Sequence, residues 1–305
     1  MTFEYFENNP IIPVPDGKAW RDPKILKLDG CYAIVVYEDI DGVNYASFYV
    51  SDNGSDWTLK SRSPDICECP DLFPLKTCET GETLWILYGG IGKYSVGYFD
   101  NFTFTPIEKD LFIDYGANAY AGQTFNNYPS DVFRYHISWL LDHKQHCGFN
   151  KNSIITGKSI SQAMSLVCKL ELHKTDRGYR LFRTPIESVN DLRLSEERTV
   201  ISDTSRICSL SEYSFSIPDT KVSITLDGQG FCLEGGKITS TSGKEYILRG
   251  GKIHDVRMFV DKRSVEFFVD GEISLSFFVP EDKQILSLSG IEEIKAKRYL
   301  LSSIW

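Results

Sequence analysis

Three acidic residues, Asp22, Glu68 and Asp114, follow one another at equal intervals of 46 residues. The first two open short motifs of similar design, Trp20-Arg21-Asp22-Pro23 and Glu68-Cys69-Pro70-Asp71-Leu72-Phe73. In each, a proline within two residues of the acid stiffens the backbone beside it. A lone Asp-Pro step is an ordinary turn acid. Two such steps one structural repeat apart are a different matter, because a repeating fold can bring both carboxylates to one axis. A pair of carboxylates facing each other suits hydrolysis of a glycosidic bond, where one acid donates a proton to the leaving oxygen and another stabilises positive charge on the sugar. Arg21, next to Asp22, is placed to pin Glu68 or a sugar hydroxyl through bidentate hydrogen bonds.

The elements that must position these residues read as strands. Apolar runs of five to nine residues closed by Gly, Asp or Asn turns occur at Cys31–Tyr37, Val43–Ser51, Leu84–Tyr88, Tyr94–Phe99, Tyr135–Leu141, Val167–Leu172, Lys221–Leu226, His254–Val260 and Ser264–Val269. Helical spacing is confined to short stretches at Lys158–Met164 and Glu187–Leu192. Four short strands per repeat of about 45 residues is the pattern of a β-propeller blade. In the first repeat the strands fall at Lys24–Leu28, Cys31–Tyr37, Val43–Ser51 and Trp57–Ser61, joined by hairpin turns such as Asp39-Ile40-Asp41-Gly42. Blade starts converge on the propeller axis, so the three acids are expected to face one pocket. Beyond about residue 185 the period is lost. Phe182-Arg183-Thr184-Pro185 reads as a connector, and from Thr199 onward alternating strands and the Asp270-Gly271 hairpin predict an antiparallel sandwich. The expected fold is all-β, with about three propeller blades over 1–185 and a β-sandwich over 186–305.

Composition narrows the partners. The 305 residues carry 42 acidic against 33 basic side chains, a formal charge of −9, with no Lys/Arg run, which argues against nucleic acid and anionic membranes. A neutral ligand fits better. Aromatic residues reach 13% while Met numbers only 3, favouring strands. The N-terminus lacks the basic start and apolar core of a secretory signal, and no apolar run reaches membrane-spanning length, so a cytoplasmic location is expected. The eight cysteines, Cys31, Cys67, Cys69, Cys78, Cys147, Cys168, Cys208 and Cys232, are scattered, mostly in apolar runs, and read as reduced thiols. Cys67 and Cys69 form a C-x-C pair without a second Cys/His cluster, which excludes a zinc site. No cofactor and no metal are expected.

The motifs resemble those of glycoside hydrolase family 32, the invertase, levanase and sucrose-6-phosphate hydrolase family. The resemblance rests on Trp20-Arg21-Asp22-Pro23-Lys24, on Glu68-Cys69-Pro70 with Asp71-Leu72-Phe73, and on Asp114-Tyr115-Gly116-Ala117-Asn118-Ala119-Tyr120-Ala121-Gly122-Gln123-Thr124-Phe125. Further matches are Asn9-Pro10-Ile11-Ile12, Tyr94-Ser95-Val96-Gly97-Tyr98-Phe99-Asp100, Ile137-Ser138-Trp139, Met164-Ser165-Leu166 and, in the last third, Phe259-Val260-Asp261 through Ser264-Val265-Glu266-Phe267-Phe268. It implies a five-bladed propeller followed by a β-sandwich, and hydrolysis of β-fructofuranosides with retention of configuration. Carried over by motif, Glu68 is implied as the general acid/base and Asp22 as the transition-state stabiliser that holds fructosyl hydroxyls. Arg21, Trp20, Asp114, Tyr120 and Gln123 are implied to line the substrate site, with a fructose-containing sugar as partner.

One departure is large. The family's nucleophile lies in a Trp-Met-Asn-Asp-Pro-Asn-Gly motif well ahead of the Arg-Asp-Pro motif, and this sequence contains no such segment; neither Glu7 nor Asp16 has a comparable context. The resemblance therefore implies that the first two blades are missing and that a retaining mechanism lacks its covalent step. Two expectations follow: a fructosidase-type hydrolase, inactive or weakly active alone, whose blades come from elsewhere, or a non-catalytic fructan-binding or remnant protein. The open blade edge is expected to recruit a complementing N-terminal fragment or a second copy of the chain. An unrelated sialidase-type or lectin propeller is a weaker alternative, prompted by the Asp-box-like Ser51-Asp52-Asn53-Gly54-Ser55-Asp56-Trp57.

Overall fold

The computed structural model describes residue 2 and residues 4–15, 18–64, 66–126, 130–141, 163–280 and 284–303. Asp16, Cys147 and most of the helical stretch expected at Lys158–Met164 lie outside the described residues. Strands dominate, and the one helical element among the described residues is a 3-10 turn at Glu187–Leu192. None of these helical residues forms a helix long and apolar enough to cross a membrane. The chain divides into two compact units, Met1–Leu111 with Ala121–Gln123, and Phe112–Tyr120 with Thr124–Trp305.

The first unit holds two four-stranded antiparallel sheets. One runs in the order β1 (Trp20–Leu28), β2 (Cys31–Ile40), β3 (Val43–Ser51) and β4 (Thr58–Pro64). The other is β5 (Asp71–Lys76), β6 (Thr83–Tyr88), β7 (Lys93–Asp100) and β8 (Thr103–Phe112). Sequential order means each strand pairs with its chain neighbour, which short hairpins permit. The β2–β3 hairpin shows why: Asp41 and Gly42 both sit at positive φ (55° and 82°), the two-residue turn that an Asp-Gly step favours. The Asp-box-like segment is a turn held by its own polar groups, with Ser51 Oγ accepting from the Gly54 amide (2.8 Å) and Asn53 Oδ1 from the Ser55 and Asp56 amides (2.9 Å each). Between the two sheets Val35, Ala46, Phe48, Ile66, Leu72, Leu87 and Phe104 form one buried cluster, to which β2, β3, β5, β6 and β8 contribute inward side chains.

In the second unit, β11 (Ala163–Met164), β10 (Phe133–Leu140), β12 (Cys168–Thr175) and β13 (Gly178–Pro185) follow one another in a five-stranded sheet, whose remaining strand, β9 (Ala119–Thr124), is divided between the two units at Ala121–Gln123. The expected connector Phe182-Arg183-Thr184-Pro185 is instead the end of β13, paired residue for residue with β12 from Gly178 to Pro185. The remaining strands form two six-stranded antiparallel sheets. Inward residues from both, among them Ile224, Phe231, Met258, Phe267 and Phe277, share a single buried core.

A polar knot ties the five-stranded sheet to this core. Asp114 is 1% exposed, and its carboxylate accepts from the amides of Gly116 (2.9 Å) and Ser276 (3.0 Å), from Ser274 Oγ (2.8 Å) and Ser276 Oγ (2.7 Å), and from Arg183 Nη1 (3.1 Å). Arg183 is itself fully buried and also donates to Ser165 Oγ (3.0 Å), while Glu266 Oε2 lies 4.0 Å from it. Burial in this knot pushes the Glu266 carboxyl up. Removing one member of a buried charge network strands its partner, at a cost of about 3–5 kcal/mol. Asp114→Ala should therefore cost a large fraction of the total unfolding free energy, measured by urea titration followed by tryptophan fluorescence, whereas Asp110→Ala, at an exposed surface ion pair with Lys93, should cost under about 1 kcal/mol.

Candidate active site

The first motif is positioned by a fault in a strand. The β1–β2 register is regular up to Arg21 opposite Tyr37 and resumes at Lys24 opposite Val35, so Asp22 and Pro23 together face a single residue of β2. This bulge turns Asp22 to φ 60°, and Pro23, which has no amide hydrogen, gives up no ladder bond there. Glu68 and Cys69, just ahead of β5, are likewise left-handed at φ 50° and 40°. Gly90 holds them by donating its amide to the carbonyls of Cys67 (2.7 Å) and Glu68 (2.8 Å). A Cβ on Gly90 would lie 3.2 Å from the Cys67 oxygen and 3.4 Å from the Glu68 Cβ, so only glycine allows this approach without displacement.

Arg21 joins the two acids. One Nη2 donates to Glu68 Oε1, Nε lies 3.7 Å from Asp22 Oδ2, and the guanidinium covers the Tyr37 ring at 4.4 Å. Asp22 Oδ2 also accepts from the Cys69 amide (3.1 Å) and faces the Cys69 thiol (3.5 Å). The side chains of Asp22 and Glu68 remain 34% and 27% exposed, so ligand atoms can reach them. The Glu68 hydrogen bond raises Arg21. Burial raises Tyr37 and Cys67, and burial with the Asp22 charge pushes Cys69 up to about 12. Chemically, the arrangement offers two accessible carboxylates and one fixed cation.

Behind this cluster Lys24 Nζ bonds Gln123 Oε1 (3.2 Å) and pairs with the buried Asp71 (3.3 Å), while Gln123 Nε2 donates to the Cys69 carbonyl (3.1 Å). Of the seven expected site residues, the structure thus brings together Asp22, Glu68, Arg21 and Gln123. The other three have the following surroundings. Trp20, one residue along a strand and hence on its other face, packs with Ile34, Val36 and Tyr49. Asp114 belongs to the second unit, and both of its oxygens are consumed in the polar knot, so the third acid of the series does not offer its carboxylate to a ligand. Tyr120, also in the second unit, sets its ring edge-on to Trp139 at 6.2 Å. Lys24, Asp71 and Tyr37 carry no assigned role in the sequence reading. The first two stand inside the quoted motifs, whereas Tyr37 becomes visible only once the β1–β2 register is known. No cluster of three or more His, Cys, Asp or Glu side chains suited to a metal occurs among the described residues.

Bulged, left-handed acids joined by an arginine on an all-β scaffold fit the chemistry of glycoside cleavage, and the comparisons give the family. The model of the glycosyl hydrolases family 32 N-terminal domain matches residues 1–185, and the chain belongs to that family. A levanbiose-producing levanase of Bacillus subtilis (strain 168) is 26% identical over 342 residues, covering 93% of this chain and 64% of the levanase. An extracellular exo-inulinase of Meyerozyma guilliermondii is 22% identical, over 88% of this chain and 54% of that protein. The chain thus spans between half and two thirds of the length of these curated relatives. Among solved structures, exo-inulinase from Aspergillus awamori superposes with a TM-score of 0.75 at 21% identity, covering 97% of this chain and 71% of that one. A Bombyx mori family 32 beta-fructofuranosidase matches with a TM-score of 0.72 at 23% identity, over 97% and 69% of the two chains. These likenesses show the fold.

The Cys69 environment yields a direct test. A thiol near 12 is thiolate in only about one part in ten thousand at pH 8, so iodoacetamide should label exposed Cys78 long before Cys69, read by peptide mass mapping. Asp22→Asn removes the neighbouring negative charge, which lowers the Cys69 value and should speed its labelling. Unchanged labelling in that variant would place the Asp22 carboxylate away from Cys69.

Proposed function

We propose that the chain is the acid/base-bearing portion of a β-fructofuranosidase-type glycoside hydrolase acting on sucrose, sucrose phosphate or fructans, inactive or weakly active alone. The observation that carries this reading is the Arg21 guanidinium between Asp22 and Glu68, with the Cys69 amide fixing the Asp22 carboxylate. In this reading the three smaller sheets are blades of a propeller and the two six-stranded sheets its β-sandwich. Glu68 protonates the glycosidic oxygen as the bond to the fructosyl anomeric carbon breaks, and Asp22 holds fructosyl hydroxyls and stabilises the positive charge that develops on the ring. Arg21 keeps Glu68 in place before substrate arrives and releases it to a sugar oxygen as the substrate binds.

A retaining mechanism also needs a carboxylate nucleophile on the opposite side of the anomeric carbon, and no residue of this sequence stands in the family's nucleophile motif. We assign that residue, with the first two blades, to a polypeptide segment outside this sequence, which would also cover the open blade edge. Catalytic groups that act as a unit lose most of the rate when one is absent. The purified 305-residue protein should therefore release fructose from sucrose, sucrose 6-phosphate and levan at rates near background. Addition of a fragment bearing Trp-Met-Asn-Asp-Pro-Asn-Gly should restore hydrolysis, and Glu68→Gln should abolish the restored rate. Enzyme-level hydrolysis by the chain alone, lost on Glu68→Gln, would refute the missing nucleophile. Tight fructan binding that no fragment converts to hydrolysis would favour the binding-protein reading.

A further inference from the structure

Lys24 and Asp71 lie in the two site motifs, yet neither reaches outward as Asp22 and Glu68 do. The Asp71 side chain is fully buried and that of Lys24 is 12% exposed, and their charged atoms are 3.3 Å apart. Lys24 Nζ also contacts Gln123 Oε1 at 3.2 Å. An ammonium only donates, so the amide oxygen of Gln123 must be the end facing Lys24. Its Nε2 is thereby turned to the Cys69 carbonyl, 3.1 Å away. Lys24 thus dictates which way the Gln123 amide points.

The carbonyl that Gln123 holds belongs to the turn on which the whole site hangs. Glu68 presents its side chain from this turn and the Cys69 amide anchors Asp22, so one short segment sets both acids. Glu68 and Cys69 are both left-handed, a conformation that costs a non-glycine residue roughly 1–2 kcal/mol and persists only where neighbours enforce it. The Gly90 amide bonds the first two carbonyls of the turn and Gln123 bonds the third. We propose that Lys24 and Gln123 are positioning residues: a charge-oriented strut that holds the Glu68–Cys69 turn left-handed and so fixes both acids of the site. The inference rests on the reading of Glu68 and Asp22 as site acids, and it gives Gln123 a different role from direct contact with substrate. Neither residue touches the reacting atoms.

The test uses protein labelled with 15N-cysteine, in which the Cys69 amide is assigned by its loss in Cys69→Ser. In the unaltered protein this amide donates to the Asp22 carboxylate, and Asp22→Asn should shift its resonance. Gln123→Glu keeps the side chain's size and its bond from Lys24 but puts an acceptor against the Cys69 carbonyl; the Cys69 amide should move toward its Asp22→Asn position while the cysteine amides outside the turn stay in place. Lys24→Met should move it in the same direction, and Lys24→Arg, which still donates to Gln123, should restore it. If Gln123→Glu does not fold, as the other cysteine amides would reveal, the Lys24 pair decides alone. A Cys69 amide unchanged in shift in Lys24→Met would overturn the strut. Adding fructose separates the two readings: a response at Cys69 in the unaltered protein supports the sugar site, whereas variant-dependent shifts without any fructose response uphold the strut and count against the sugar site.

Discussion

A carboxylate removed from water must be met by donors, and Asp114 shows how much structure that requirement organises. Two backbone amides, two serine hydroxyls and the Arg183 guanidinium converge on it, drawn from the Asp114–Gly116 segment, from β13 and from the strand Ile273–Phe278. Desolvating an ion of this size costs several kcal/mol, offset only when its hydrogen-bonding capacity is filled. The five-stranded sheet and the two-sheet core are therefore held in one arrangement. Lys244, whose Nζ donates to the Asp114 and Gly116 carbonyls (2.9 and 3.0 Å), closes the same knot, and burial lowers its pKa. Gly116 completes it, since a Cβ there would lie 2.1 Å from the Ser276 carbonyl oxygen.

The acids of the first unit obey the opposite logic. Arg21, Asp22 and Glu68 are each between a quarter and two fifths exposed, and pairs of that kind contribute on the order of 1 kcal/mol or less. A ligand oxygen can displace such a contact without endangering the fold. Equal spacing in the chain thus conceals unequal physics. Asp114 serves as a structural anchor because all its acceptor capacity is spent internally, while Asp22 and Glu68 retain capacity that faces water.

This difference marks what can be read from the chain alone. The all-β character and most strands were legible, because alternation and Asp-Gly turns are local signals; Val43–Ser51 and Ser264–Val269 coincide with the observed strands. Arg21, Asp22 and Glu68 were legible from residue type and interval. Burial was not, since the same Asp-Tyr-Gly segment is compatible with a channel wall or a polar knot until Arg183 and Ser276 are brought beside it from 69 and 162 residues away. Phe182-Arg183-Thr184-Pro185 looked like a connector because a polar pair and a proline end the apolar alternation. Only the pairing with β12 and a partner for the guanidinium make it a strand. Lys24, Asp71 and Tyr37 escaped notice for a related reason, as their roles depend on register across β1 and β2 and on Gln123, 99 residues from Lys24.

The remaining question is how a solvent-reached site stays ordered while its acids sit in unfavourable backbone conformations. Asp22, Glu68, Cys69 and Ala121 all have positive φ without being glycine, each at a cost of roughly 1–3 kcal/mol. Nothing in the exposed ion pairs offsets so much. The compensation comes from behind the site, where Phe48, Leu72, Leu87 and Phe104 fill the space between the two four-stranded sheets and Phe99 packs against Phe48 and Trp85 at 5.2 and 5.0 Å. Each of these large side chains contributes about 1.5–3 kcal/mol on burial. Because the bulge that turns Asp22 lies on β1, and the turn that carries Glu68 leads directly into β5, the strained residues are extensions of strands whose other ends that core holds. The acids can then approach one another against their conformational preference, and a rigid pair of sheets, rather than the ion pairs themselves, sets the geometry presented to a ligand.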